Sequence, residues 1–190
     1  MASSGPNSAG TIVNDATVGT ISWINPSDAV SSNDVRSHAD GIVPFGFIDT
    51  NYLKATNFGF ALGGGDTVDG IKVEVEKRSD FANLTLPIDL ECKIVKGGSI
   101  GTVNKASGAN WTTSDAVTSY GGAADLWGLT WNPSDINDST FGFVISARAF
   151  ADNKYGPPTV SIDHIRITVY YTAGGGGGGS VSKLALLGVG

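Results

Sequence analysis

Residues 84–94 read Leu-Thr-Leu-Pro-Ile-Asp-Leu-Glu-Cys-Lys-Ile, and every second residue of this stretch is apolar. Successive side chains of a β-strand point to opposite faces of a sheet, so this period predicts a strand with one buried face and one solvent-facing side. The same alternation recurs over residues 71–75, 141–149 and 163–171. No long stretch has a helical period, and the chain is therefore predicted to be an all-β protein of antiparallel strands.

Turn signals divide the chain into regularly spaced strands. Glycine, proline and asparagine clusters predict strands at residues 19–24, 41–48, 52–62, 70–79, 84–96, 116–120, 125–130, 140–149 and 159–172. About nine strands at this spacing suit an antiparallel two-sheet β-sandwich of the jelly-roll type. The segment Pro133-Ser134-Asp135-Ile136 predicts one short helical turn.

The two ends of the chain differ from its middle. Residues 1–10 are small and polar and predict a flexible N-terminal arm, and residues 11–172 form the predicted sandwich domain. Residues 173–190 contain six consecutive glycines, a tether, followed by an apolar peptide. That peptide either folds back onto its own domain or adds a strand to a neighbouring subunit. The residues predicted to mediate such assembly are Val181, Leu184, Ala185, Leu186, Leu187 and Val189.

Composition and charge exclude several classes of partner. A net charge of −6 argues against nucleic-acid binding, which needs a basic face, and against electrostatic docking on anionic membranes. No apolar run reaches the roughly 20 residues of a membrane span, and the first residues do not resemble a secretory signal. The single cysteine, Cys92, forms no intrachain disulfide and is predicted to be a small buried hydrophobe. The chain is therefore expected to be made in a reducing cytoplasm.

The residues that carry chemistry are sparse. One cysteine and two separated histidines do not make a zinc site, and neither a catalytic residue nor a cofactor is predicted. His164 is predicted to face solvent, while its neighbour Asp163 points to the apolar face and needs partners such as backbone amides or an arginine. Calcium is an alternative at the loop acids, although turn and capping roles are favoured for them. These loop residues are Asp66, Asp69, Asp135, Asn137 and Asp138.

Most of the predicted domain resembles a β-sandwich module of tailed-phage virion proteins and phage-like bacterial surface proteins. The segments that carry the resemblance are residues 20–26, 51–60, 71–76, 93–98, 125–131 and 161–171. The resemblance implies a structural or surface-display role without catalytic residues. We therefore predict a virion structural protein, a decoration, fibre or coat subunit, whose partners are further copies of itself and other virion proteins.

A carbohydrate-binding adhesin or tail-fibre tip is the alternative function. Exposed aromatic rings stack on sugars, and the candidates for stacking on a cell-surface glycan are Trp111, Trp127 and Trp131. Core packing is the ordinary role of such tryptophans. A glycan-cleaving enzyme would need two facing carboxylates, and the sequence nominates no such pair.

Overall fold

The computed structural model describes residues 1–40, 46–80, 86–151 and 159–174. These residues form two antiparallel β-sheets that pack face to face. The predicted two-sheet antiparallel β-sandwich is therefore confirmed.

The described residues contain eleven strands and two short helical segments. The strands are β1 (Ala2–Ser8), β2 (Thr11–Asp15), β3 (Ser37–Ala39), β4 (Gly46–Asp49), β5 (Tyr52–Thr56), β6 (Thr67–Ser79), β7 (Ile88–Lys96), β8 (Ser99–Ile100), β9 (Ala116–Gly121), β10 (Gly142–Ala151) and β11 (Val160–Thr172). A 3₁₀ turn spans Pro26–Ala29, and the helix α1 spans Pro133–Asn137, as its sequence predicts. None of the helices in these residues is long and apolar enough to cross a membrane.

Each sheet has a simple order. Sheet A runs β1-β11-β6-β9, and β3 also pairs with β11. Sheet B runs β2-β5-β10-β7-β8, and β4 also pairs with β10. The long central strands carry the alternating sequences, because both neighbours and one face must be satisfied there. The core between the sheets includes the buried side chains of Ile71, Val73, Cys92, Phe143, Ile145, Ile165 and Ile167.

Three predicted elements differ in the structure. The predicted N-terminal arm forms β1, which pairs with β11. Its strand goes unnoticed in the sequence because most of its side chains are exposed, so there is no apolar alternation. Residues 19–24 make only isolated bridges, at Ile21 and Ile24. Residues 125–130 form turns, because Trp127 and Gly128 both have a positive φ.

Two irregularities in the strand pairing turn acidic residues inward. On β7, Glu91 pairs with Ser146 and Asp89 pairs with Ala147, so Leu90 is an extra residue and the alternation shifts there. Asp89 therefore points between the sheets, and it is 3% exposed. On β11, the register shifts around Asp163, which is 1% exposed.

Candidate functional site

The three tryptophans predicted to stack on sugars lie in the core. Trp111, Trp127 and Trp131 are 2%, 1% and 9% exposed. Their ring N–H groups donate to Asp89 Oδ1 at 2.8 Å, to the carbonyl of Ile71 at 3.0 Å and to the carbonyl of Leu126 at 2.9 Å. Rings packed and hydrogen-bonded in this way offer no face to a sugar. The structure thus corrects this prediction, and the tryptophans take the core-packing role.

The predicted assembly residues, Val181 to Val189, lie outside the described residues. The part of the tether that is described ends at Gly174, whose N–H donates to Asp66 at 3.1 Å. The virion role and the assembly through this peptide stay predictions.

The loop acids considered for calcium take turn and capping roles. Asp135 and Asn132 form a capping box at the start of α1. Asp66 accepts from the N–H of Gly63, and Asp138 accepts from Thr140. Within the described ranges, no group of three or more His, Cys, Asp or Glu residues is placed to hold a metal ion.

The two neighbouring residues of β11 behave as the sequence predicts. Asp163 Oδ2 accepts from the backbone N–H groups of Asn33 at 3.1 Å and Asp34 at 3.3 Å. Burial is the main cause that raises the pKa of Asp163. His164 lies on the other side of the strand, where its Nε2 contacts the hydroxyl of Ser8 at 2.8 Å. Asp163 and His164 therefore do not form a catalytic pair.

A buried polar network links the two sheets. Lys77 of β6 is paired with Asp89 of β7, and its Nζ also donates to Tyr120 Oη at 2.6 Å. Asp89 further accepts from Trp111 Nε1 at 2.8 Å, from Tyr120 Oη at 2.9 Å and from Ser107 Oγ at 3.1 Å. The ammonium group lies 4.7 Å from the centre of the Trp111 ring. Both carboxylate oxygens of Asp89 thus have two donors each.

Burial dominates the electrostatics of this network. It lowers the pKa of Lys77, although the charge of Asp89 opposes the shift. It raises the pKa of the Tyr120 hydroxyl and of the adjacent Cys92 thiol. A pocket of about 80 Å³ borders Lys77 and Trp111, which is room for a few water molecules and not for a sugar ring. Saturated hydrogen bonding and a small pocket indicate a link between the sheets and not a reaction site.

Two larger pockets lie on the surface of the described residues. One, of about 440 Å³, is lined by apolar groups such as Ile100 and Leu129. The other, of about 400 Å³, is polar, and its Arg36 and Arg78 are already paired with aspartates. Neither set of lining residues contains a phenylalanine, tyrosine or tryptophan ring, so neither offers a stacking surface.

An exposed aromatic ring lies instead on the outer face of sheet B. Phe47 of β4 is 68% exposed, and its ring meets the ring of Phe150 of β10 edge-on, with the ring centres 5.2 Å apart. The two residues are partners in the pairing of β4 with β10, and so are Asp49 and Arg148. We call these four residues, Phe47, Asp49, Arg148 and Phe150, the Phe47 platform.

Backbone pairing and side-chain contacts hold the platform in place. Arg148 donates from Nε and Nη2 to the two oxygens of Asp49 at 2.6 and 2.7 Å. The guanidinium carbon lies 5.6 Å from the centre of the Phe47 ring. The hydrogen bond to Asp49 raises the pKa of Arg148. An exposed ring is thus fixed beside a planar group of donors and acceptors.

The sequence contains a signal for this site that the search for tryptophans missed. In residues 141–149 the apolar side chains that face the core fall on odd numbers. Arg148 and Phe150 have the opposite parity, so β10 places them on the outer face. A large aromatic residue on the solvent parity of a strand is the pattern that would have nominated Phe150, although Phe47 is found only through the pairing of β4 with β10.

No family model matches the sequence, and no curated protein matches it. Three solved structures are similar to the chain at low identity. The apo form of CBM1 of BiXyn10A has a TM-score of 0.39 and 10% identity, over 85% of this chain and 99% of that one. The CBM22-1 xylan-binding domain of Xyn10C from Paenibacillus barcinonensis has a TM-score of 0.41 and 9% identity, over 90% of this chain and 95% of that one.

The third structure is the second N-terminal cellulose-binding domain of β-1,4-glucanase C from Cellulomonas fimi. Its TM-score is 0.41 and its identity 17%, over 90% of this chain and 100% of that one. Because all three TM-scores lie below 0.5, we base the function on the residues of this chain.

Proposed function

We propose that this protein is a non-catalytic carbohydrate-binding module that contacts its glycan through the Phe47 platform. The observation that carries the proposal is the exposure of Phe47, whose ring is 68% exposed although the sandwich buries its other described large aromatic rings much more deeply. An exposed apolar ring has an unfavourable contact with water unless a ligand covers it. Pyranose rings present C–H faces that suit this contact.

The surroundings of Phe47 support a sugar as the ligand. The Arg148–Asp49 pair lies beside the ring and is partly exposed, with 39% of the arginine side chain and 29% of the aspartate side chain accessible. Guanidinium N–H groups donate and carboxylate lone pairs accept, and sugar hydroxyls do both. A flat aromatic surface next to polar groups of fixed geometry is how proteins orient small polar ligands.

The platform also meets the requirement for pre-organisation. Phe47 and Asp49 lie on one strand and Arg148 and Phe150 on the next, so the backbone pairing fixes their spacing. A ligand then loses its own freedom on binding, but the protein has few side chains left to order. This favours the platform over a mobile loop residue as the main contact.

The test is retention on insoluble polysaccharides and migration in gels that contain soluble ones. The ligands named for the similar solved structures, xylan and cellulose, are the first two to use. We expect the wild-type chain to be retained and Phe47→Ala to bind about tenfold or more weakly, because an aromatic anchor at an interface commonly contributes that much. Phe47→Ala should remain folded, because the side chain is mostly exposed.

Val117→Ala is the matched control for the loss of an exposed apolar side chain. Val117 is 52% exposed on β9, at the edge of the other sheet. It should bind like the wild type, and none of the proteins should release reducing sugar from the polysaccharides. Absence of wild-type binding to any member of a broad polysaccharide panel would show that the proposal is wrong, and equal binding by Phe47→Ala would show that the platform is not the site.

A further inference from the structure

The charges on the outer face of sheet B are arranged in pairs. The pairing register places Lys54, Lys93 and Arg148 on this face, because Lys54 and Lys93 flank Val144, two residues from Arg148 on β10. Each cation has a carboxylate partner: Lys54 Nζ lies 3.3 Å from Asp15, Lys93 Nζ lies 2.7 Å from Glu91, and Arg148 makes its two bonds to Asp49. Among the described residues of this face, the pairing leaves no excess of either sign.

From this arrangement we infer that the Phe47 platform selects uncharged glycans, and that Asp49 determines the selectivity by neutralising Arg148. The inference rests on the proposed function. It adds a ligand class, neutral sugars as opposed to uronic or sulfated ones, and a residue that sets it.

The reason lies in what Arg148 would do without Asp49. A guanidinium group beside an aromatic ring is a strong site for carboxylate or sulfate, because it can form two parallel hydrogen bonds to either. In this chain the Nε and Nη2 groups already bond to Asp49 in that way. An acidic sugar would have to displace Asp49 or lie beside its negative charge, and both are unfavourable.

The whole chain acts in the same direction. Its net charge is −6, so the long-range field repels polyanions at low ionic strength. A neutral hydroxyl group does not meet this cost. It can accept from the remaining N–H groups of Arg148 and donate to the free lone pairs of Asp49.

The experiment compares polysaccharides that differ in charge. The probes are hydroxyethyl cellulose against carboxymethyl cellulose, and arabinoxylan against glucuronoxylan, each measured by gel retardation at about 20 mM and about 500 mM NaCl. We expect wild-type binding to the neutral member of a pair to be about tenfold stronger than to the acidic member at low salt. Binding to the neutral member should not change with salt.

Asp49→Asn is the diagnostic variant, because it frees the charge of Arg148 with little change of shape. We expect it to gain about tenfold in binding to the acidic polysaccharide at low salt and to lose this gain at high salt. Asp40→Asn is the control, since it removes one charge from an exposed residue just beyond β3, in the other sheet. It should bind like the wild type, and circular dichroism should show that both variants are folded.

The outcomes separate this inference from the proposed function. Equal wild-type binding to neutral and acidic members would overturn the neutral selectivity while the proposed function stands. An unchanged profile of Asp49→Asn would overturn the role of Asp49. Wild-type binding to neither member of both pairs, at either salt concentration, would count against the proposed function itself.

Discussion

The buried network around Lys77 and the Phe47 platform are built from the same three parts. Each has a cation, a carboxylate and an aromatic ring: Lys77, Asp89 and Trp111 in one, and Arg148, Asp49 and Phe47 in the other. The cation lies 4.7 Å from the ring centre in the first and 5.6 Å in the second. The difference is burial, because 5% of the Lys77 side chain is exposed and 39% of the Arg148 side chain. The same chemistry therefore links two sheets in one place and faces solvent in the other.

Burial also sets how much each pair contributes. A buried ion loses its hydration, so its partner must replace nearly all of the lost interactions. Around Asp89 this is done by four donors from three different parts of the chain. Around Asp49 water supplies what the protein does not. The comparison predicts a large cost for breaking the first pair and a small cost for breaking the second.

The largest expected effect is that of Asp89→Asn. This variant leaves the ammonium group of Lys77 buried without its counter-charge, and we expect the free energy of unfolding to fall by about 3–5 kcal/mol. Urea unfolding followed by tryptophan fluorescence measures it. The double variant Lys77→Met with Asp89→Leu removes both charges, and it should recover most of the loss because apolar side chains of similar size suit a buried site.

A loss below about 1 kcal/mol for Asp89→Asn would contradict this account, because it would place the pair in the energy range of exposed ion pairs. A double variant that is no more stable than the single one would show that the hydrogen bonds of Tyr120 and Ser107, and not the charge, carry the network.

The sandwich itself follows from the sequence because its long central strands alternate. Ile71, Val73 and Val75 continue in the same parity to Lys77, so even the inward position of this lysine can be predicted. The inward position of Asp89 cannot, because it depends on the extra residue Leu90, and the local sequence retains its alternation through the irregularity. β1 is missed for a related reason, since its strand is stabilised by backbone pairing and not by an apolar face.

The candidate site was predicted less well than the fold. Tryptophan was the natural residue to choose for sugar stacking, but its large area makes it equally useful in the core, where all four tryptophans of the chain lie. The exposed ring belongs to Phe47, on a strand of only four residues whose partner lies about 100 positions away in the sequence. Sequence distance of this kind hides a site until the register is known.

The intermediate effect is that of Arg148→Gln on stability. Because Arg148 and Asp49 are partly exposed, we expect the free energy of unfolding to fall by no more than about 1 kcal/mol. Urea unfolding at low and high NaCl tests this, since screening should reduce even that difference. A fall as large as that of Asp89→Asn would contradict the comparison and would mean that the platform is part of the folding core.

The smallest effect concerns His164, whose half-buried position lies between these two extremes. Partial burial is the main cause that lowers its pKa from the ordinary 6.5, and Arg166 adds to it, while Glu76 and Asp163 act in the opposite direction. The folded chain therefore binds fewer protons at this residue than the unfolded chain does, so its contribution to stability falls as the pH falls through about 6.5. His164→Gln keeps a polar partner for Ser8 and removes the titration. We expect the urea midpoint of the wild type to fall more than that of the variant between about pH 7.5 and about pH 5, the other acids being common to both proteins. A variant with the same pH slope would show that the imidazole is hydrated as fully in the folded chain as in the unfolded one, and the contact with Ser8 would then belong with the exposed pairs.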